Sequence, residues 1–93
     1  MIGFEWDDRK AARNLTEHKV SFEQAAIACG DPFAVEWIDL REPYGEERSG
    51  LLGSYRGEVL YVACTERRDT IRIISARRAD RHEQDRYYRQ NAS

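Results

Sequence analysis

Ninety-three residues, 41% hydrophobic and 34% charged, suffice for a single domain over 1–93 with one modest core. That balance excludes a disordered chain, and no apolar run reaches membrane-spanning length. The net charge of −2 hides an asymmetry: residues 1–66 carry 7 basic and 13 acidic side chains, and residues 67–93 carry 8 arginines and 4 acids.

Ile2 to Trp6 is short and aromatic, which predicts an edge strand. Asp7 can cap a helix over about 8–18, with Ala11 and Leu15 on its inward stripe. Ser21 and Gln24 form an S-x-x-Q capping box for a second helix over 22–29, ended by Gly30-Asp31-Pro32. Phe33 to Asp39 alternates as a strand, and residues 40–46, with Pro43 and Gly45, predict a loop. Glu47 to Tyr55 and Glu58 to Glu66 read as a hairpin around Arg56-Gly57. Arg67-Arg68-Asp69 is a second turn, leading into a strand over 70–77. Asp80 and Glu83 can cap a last helix over 80–90. The order β-α-α-β-β-β-β-α predicts an α+β domain with an antiparallel sheet and helices covering a face.

The start of the chain lacks a basic segment followed by an apolar one, so a cytoplasmic protein is expected. Cys29 and Cys64 lie in apolar surroundings and read as buried, reduced thiols. Two Cys and two His at these spacings are too few for zinc, and no cofactor is expected. Arginine makes up 13 of the 15 basic side chains, and its planar fork suits phosphate. The stretch from Ile71 to Arg78 begins apolar, ends on arginines and runs into an Arg-rich helix, one way for a small sheet to present a phosphate site. Ser75 has no His/Asp pair at a suggestive spacing, and His82-Glu83 lacks the second His of a zinc-protease helix. Tyr87 and Tyr88 are expected to anchor the last helix, and Trp6 and Trp37 to be core or sheet aromatics.

Several residues recur in a suggestive order: Phe4-Glu5-Trp6-Asp7, Lys10, Asn14, His18, Val20 to Ala25, Glu46-Glu47-Arg48, Gly53, Gly57, Leu60, Val62, Ile71 to Arg77, Glu83 and Tyr87. In this order and spacing the chain resembles the BrnT family of toxins, from bacterial type II toxin–antitoxin pairs, over about residues 4 to 88. The resemblance implies a RelE-like arrangement and a small metal-independent ribonuclease, which cuts RNA to a cyclic or 3′-phosphate end and slows translation. It also implies a BrnA-like antitoxin, in a 2:2 heterotetramer, through which alone operator DNA is reached. No membrane is implied.

A ribonuclease without metal uses the 2′-hydroxyl of its RNA as nucleophile. It needs a base, cations for the crowded phosphate, and an acid for the leaving oxygen. Lys10, Asn14 and His18 fall along one stripe of the first helix. His18 sits at its end, where the dipole favours an imidazolium, and is a candidate acid or base. The alternative is a helix-end histidine bonded to a carbonyl. The family usually has Lys before this His, and here Glu17 stands in its place. Glu47 and Arg48 must point to opposite faces of a strand, so Arg48 is preferred as phosphate-facing and Glu47 is a base only if the strand is bulged. Arg72 and Arg77, five apart, fall on opposite faces of an unbroken strand. Arg77, at the strand end, is the better catalytic candidate; Arg72 lines another part of the cleft or braces the fold. The expected catalytic set is therefore His18, Arg48, Arg77 and Glu47, with Lys10, Arg67, Arg72 and Arg78 on the RNA. Arg67 and Arg68, in a turn, are the most expendable. The alternative function is a non-catalytic antitoxin-binding and co-repressor module of the same fold, favoured by Glu17 and the acidic first two-thirds.

Overall fold

Local capping chemistry starts each helix. The Asp7 carboxylate accepts from the N–H groups of Arg9 and Lys10 and opens α1 (Asp8–His18). Lys19 closes that helix in the left-handed region, at φ 60°. Ser21 and Gln24 make the expected reciprocal box at the start of α2 (Phe22–Cys29). Asp80 and Glu83 make the same device for α3 (Arg81–Asn91). These elements belong to a computed structural model that describes residues 3–39 and 48–92. The expected loop over 40–46 and the candidate base Glu47 lie outside the described residues.

The strands are β1 (Gly3–Glu5), β2 (Val35–Asp39), β3 (Arg48–Tyr55), β4 (Glu58–Arg67) and β5 (Thr70–Arg78). They form one sheet in the order β1-β5-β4-β3-β2. Arg56 (φ 49°) and Gly57 (φ 83°) both adopt positive φ, the two-residue turn whose twist matches a hairpin. The α+β class and the element order are as expected. One detail differs: β2 to β5 are antiparallel, but β1 joins β5 in parallel, Gly3 opposite Thr70 and Glu5 opposite Arg72. Three antiparallel steps separate β2 from β5, so β1 runs opposite to β2 at the other edge. A three-residue strand carries no local signal of its direction.

The helices also lie on both faces of the sheet rather than one. Val20, Phe22, Ala25 and Ala28, from α2 and its entry, pack with Leu51, Leu60, Val62, Cys64, Ile73 and Ala76 on the inner face. Burial of a side chain such as Phe22 stabilises by about 1.5–3 kcal/mol. Gly53 permits the close approach of α2 to β3, because a Cβ there would come within 2.0 Å of the Ala28 carbonyl oxygen. On the outer face, Tyr87 of α3 packs with Ala79, Val35, Leu52 and Val59. The expected anchoring by Tyr87 is thus seen, while Tyr88 is exposed. No described helix is long and apolar enough to cross a membrane.

Candidate functional site

The pairing of β4 with β5 slips by one residue. Ala63 opposes Ser75 but Cys64 opposes Ile73, so Ile74 is an extra residue in β5. The bulge inverts the alternation beyond it, and Ile73 and Ala76 both reach the inner core although they are three apart. It also overturns the expectation for the arginines. Arg72 opposes Thr65 and Arg77 opposes Tyr61. Thr65 and Tyr61 are four apart in β4 and share a face, so Arg72 and Arg77 share it too. That face is the outer one, where Tyr61 packs beside the α3 core.

Two more guanidinium groups belong to the same face by alternation. Arg48 is four residues from Leu52, an outer-face core residue, and Arg67 is two from Thr65. Four of the five expected arginines therefore gather on one sheet face, with Thr65 in their midst. Thr65 is 3% exposed and had no signal in the sequence beyond its place in the alternation. Arg78 does not join them. It opposes Leu60, an inner-core residue, and pairs with Glu58 across the hairpin.

Partners grade these arginines. Arg77 makes a bidentate pair with Glu83, at 2.7 and 2.9 Å, and its guanidinium lies 4.4 Å from the Tyr61 ring centroid. The hydrogen bonds that Arg77 donates to the Glu83 carboxylate hold its proton more tightly than in a free arginine. Glu83 is also the reciprocal cap of α3, so Arg77 ties β5 to that helix. Arg72 is held more loosely, 3.8 Å from Glu5 of β1, with its side chain 35% exposed. Such a contact is worth under about 1 kcal/mol, and a phosphate can displace it.

Aromatic groups border the arginines. The Trp37 and Tyr61 rings lie 5.9 Å apart, and Arg86 of α3 covers Trp37 at 4.4 Å. Gly50 makes room for Trp37: a Cβ there would meet the indole at 2.5 Å.

His18 and Lys10 lie elsewhere. With Arg13, Asn14, Glu17, Ile74 and Ser75 they line a groove of about 240 Å³ between α1 and the bulged part of β5. None of the strand arginines lines it. The single cleft expected from sequence is therefore two surfaces, separated by β5. The His18 Nε2 is 4.0 Å from the Glu17 carboxylate, and His18 makes no hydrogen bond to a carbonyl among the described residues. Asn14, by contrast, is structural. Its Nδ2 donates to the carbonyls of Val20 (2.9 Å) and Ala76 (2.8 Å), and its Oδ1 accepts from the Ala76 N–H (3.1 Å). β1 pairs only as far as Arg72, and Asn14 satisfies the edge of β5 beyond it.

The thiols are chemically quiet. Burial pushes Cys29 up to about 12 and Cys64 up to about 11, well away from a reactive thiolate. Among the described residues, no three His, Cys, Asp or Glu side chains are grouped to hold a metal.

A family model described as ribonuclease toxin, BrnT, of type II toxin-antitoxin system matches residues 6–83. No curated protein matches the chain.

Proposed function

The chain belongs to the BrnT family of ribonuclease toxins of type II toxin–antitoxin systems, and from that membership we propose that it cuts RNA on the outer face of its sheet, without a metal. The observation that carries this is the bulge at Ile74, which aligns Arg72 and Arg77 with Arg48 and Arg67 on one face. The RNA 2′-hydroxyl attacks the adjacent phosphorus and the 5′-oxygen leaves, giving a cyclic phosphate. Negative charge grows on the phosphoryl oxygens in that step. Arg48 and Arg72 stabilise it, because their guanidinium groups donate to the oxygens on which the charge grows. Arg67 holds the neighbouring backbone. Arg77, committed to Glu83, positions β5 against α3 rather than touching the phosphate. Glu47, outside the described residues, can take the 2′-proton only if the chain bulges beside Arg48, because simple alternation puts it on the opposite face. His18, on the other side of β5, is not assigned to proton transfer.

Family membership implies an antitoxin partner. We propose a BrnA-like protein in a 2:2 assembly, which covers the arginine face with acidic residues and brings the pair to operator DNA. In this reading the toxin acts on cytoplasmic RNA and slows translation. Induction of the parent chain is expected to arrest growth, and the purified chain to cut RNA in the presence of a chelator. Arg72→Ala and Arg48→Ala should each slow cleavage by about 10²–10³-fold, as the loss of one transition-state donor does. Full cleavage by the double variant would overturn the assignment of this face.

A second reading has one observation in its favour. Arg72, Arg77 and Arg78 are each paired with a carboxylate of the chain itself. A chain that keeps the fold and the antitoxin contact but cleaves nothing would bind its partner normally while its induction leaves growth unaffected.

A further inference from the structure

We propose that the groove between α1 and the bulged stretch of β5 is a phosphate-binding site that holds single-stranded RNA beside the cleavage face. For the position of the cut it rests on the outer-face reading above; for the groove itself it stands on separate residues. Lys10, Arg13, Asn14, Glu17 and His18 are spaced so that one stripe of α1 carries them all. Ile74 and Ser75 form the opposite wall, and the space between, about 240 Å³, admits a phosphodiester group.

Charge distinguishes this groove from the sheet face. Neither Lys10 nor Arg13 makes an ion pair among the described residues, whereas on the sheet face Arg72 and Arg77 pair with Glu5 and Glu83. Two exposed cations therefore converge on a concave surface without a close ion pair among the described residues; the charge of Lys10 also reaches the helix-capping Asp7 carboxylate, which the Arg9 and Lys10 N–H groups already engage. The anion in the groove is Glu17, whose carboxylate lies 4.0 Å from the His18 Nε2 and makes no ion pair with Lys10 or Arg13. The wall is rigid as well. Asn14, 6% exposed, is fixed through three hydrogen bonds to Val20 and Ala76, so the groove is formed before any ligand arrives.

Position supplies the link to RNA. Ser75 lines the groove and lies on β5 between Arg72 and Arg77. One strand width, roughly 5 Å, separates groove and arginine face. A single RNA strand that wraps the edge of β5 past Asn14 touches both, with one phosphate on Arg48 and Arg72 and a flanking one on Lys10 and Arg13. A duplex is too wide to follow that edge, so the substrate is single-stranded.

The test uses the full chain and a 2′-O-methyl RNA 12-mer, which lacks the nucleophile and stays uncut. Fluorescence anisotropy across a salt series is expected to show Lys10→Ala/Arg13→Ala binding about tenfold more weakly at low salt, with the log–log salt slope smaller by about 1.4, two contacts at about 0.7 each. Glu17→Lys should bind more tightly than the parent. In the parent, NMR should show the His18 ring and the Ser75 amide shifting as the 12-mer is added. If the double variant binds like the parent and neither resonance moves, while Arg48→Ala/Arg72→Ala weakens binding, the groove is no RNA site and the outer-face reading survives. If instead the groove variant weakens binding and Arg48→Ala/Arg72→Ala does not, the groove stands and the outer-face reading falls. A groove variant that loses antitoxin binding but keeps RNA binding would assign the groove to the antitoxin and overturn the proposal.

Discussion

Asn14 shows how one side chain can replace a strand. Its carboxamide donates and accepts at the same residue, Ala76, as a neighbouring β-strand would. Removing it orphans a buried N–H and two carbonyls, so Asn14→Ala is expected to lower stability by about 2–4 kcal/mol in urea unfolding. A loss under 1 kcal/mol, roughly the value of a surface bond, would show that water fills its place. Asp31 plays a comparable role at the far end of α2. Its carboxylate accepts from Phe33 N–H, Ser54 N–H and the Tyr87 hydroxyl. Burial raises its pKa, but those bonds prevail and hold it below the usual carboxylate range. Burial and the Asp31 carboxylate push Tyr87 up to about 12. The signs follow from linkage. The Asp31 contribution is present above the ordinary carboxylate value and is lost as pH falls through its lowered one. The Tyr87 contribution is complete below about 10, the ordinary tyrosine value, and is lost as pH rises towards its raised one. A urea-midpoint profile should fall at both ends, and Tyr87→Phe should flatten the alkaline fall. An unchanged alkaline limb in Tyr87→Phe would remove Tyr87 from its cause.

At the level of elements, α3 is fastened by one residue with two tasks. Glu83 caps its own helix and clamps Arg77 of β5. Glu83→Ala is expected to cost about 1–2 kcal/mol, the partly exposed guanidinium having been discounted for solvent screening. Arg77→Lys should recover little of what Arg77→Ala loses, since an ammonium cannot make the bidentate fork. Thermal melts of the three variants check this, and rescue by Lys would show that charge alone holds the helix. α1 ends differently. Lys19 closes it at φ 60°, a region where a Cβ is crowded. Lys19→Gly should therefore raise stability, by about 1 kcal/mol. A fall in stability would mean that the lysine side chain outweighs the backbone strain. The helix caps and the turn at Arg56-Gly57 were legible because they are local: a side chain two or three residues away decides each cap, and the turn's own two residues decide the turn. The bulge at Ile74 was not, since Ile73 and Ile74 are both apolar and either suits the core.

Across the whole molecule, the acidic first two-thirds and the Arg-rich last third meet. Arg72 pairs with Glu5, and Arg78 with Glu58. Part of the charge asymmetry seen in the sequence is thus spent within the fold. The helices divide the cationic surfaces. α1 and α2 cover the inner face and leave a groove at the β5 edge, and α3 covers part of the outer face beside the arginines.

The sequence by itself determined the elements, their order and the stock of cations, and the order and spacing of its residues already pointed to the family. Each of these depends on residues close together along the chain or on composition. The tertiary structure decided which cations meet. His18 and Arg77 were natural partners on paper, yet β5 stands between their surfaces. Arg72 and Arg77 were separated by simple alternation, yet one inserted residue joins them. The direction of β1 and the face taken by α3 belong to the same class. The alignment of Arg72 and Arg77 depends on register, where a one-residue slip with no mark in local sequence moves every side chain beyond it to the other face; the other three depend on how segments distant along the chain pack together.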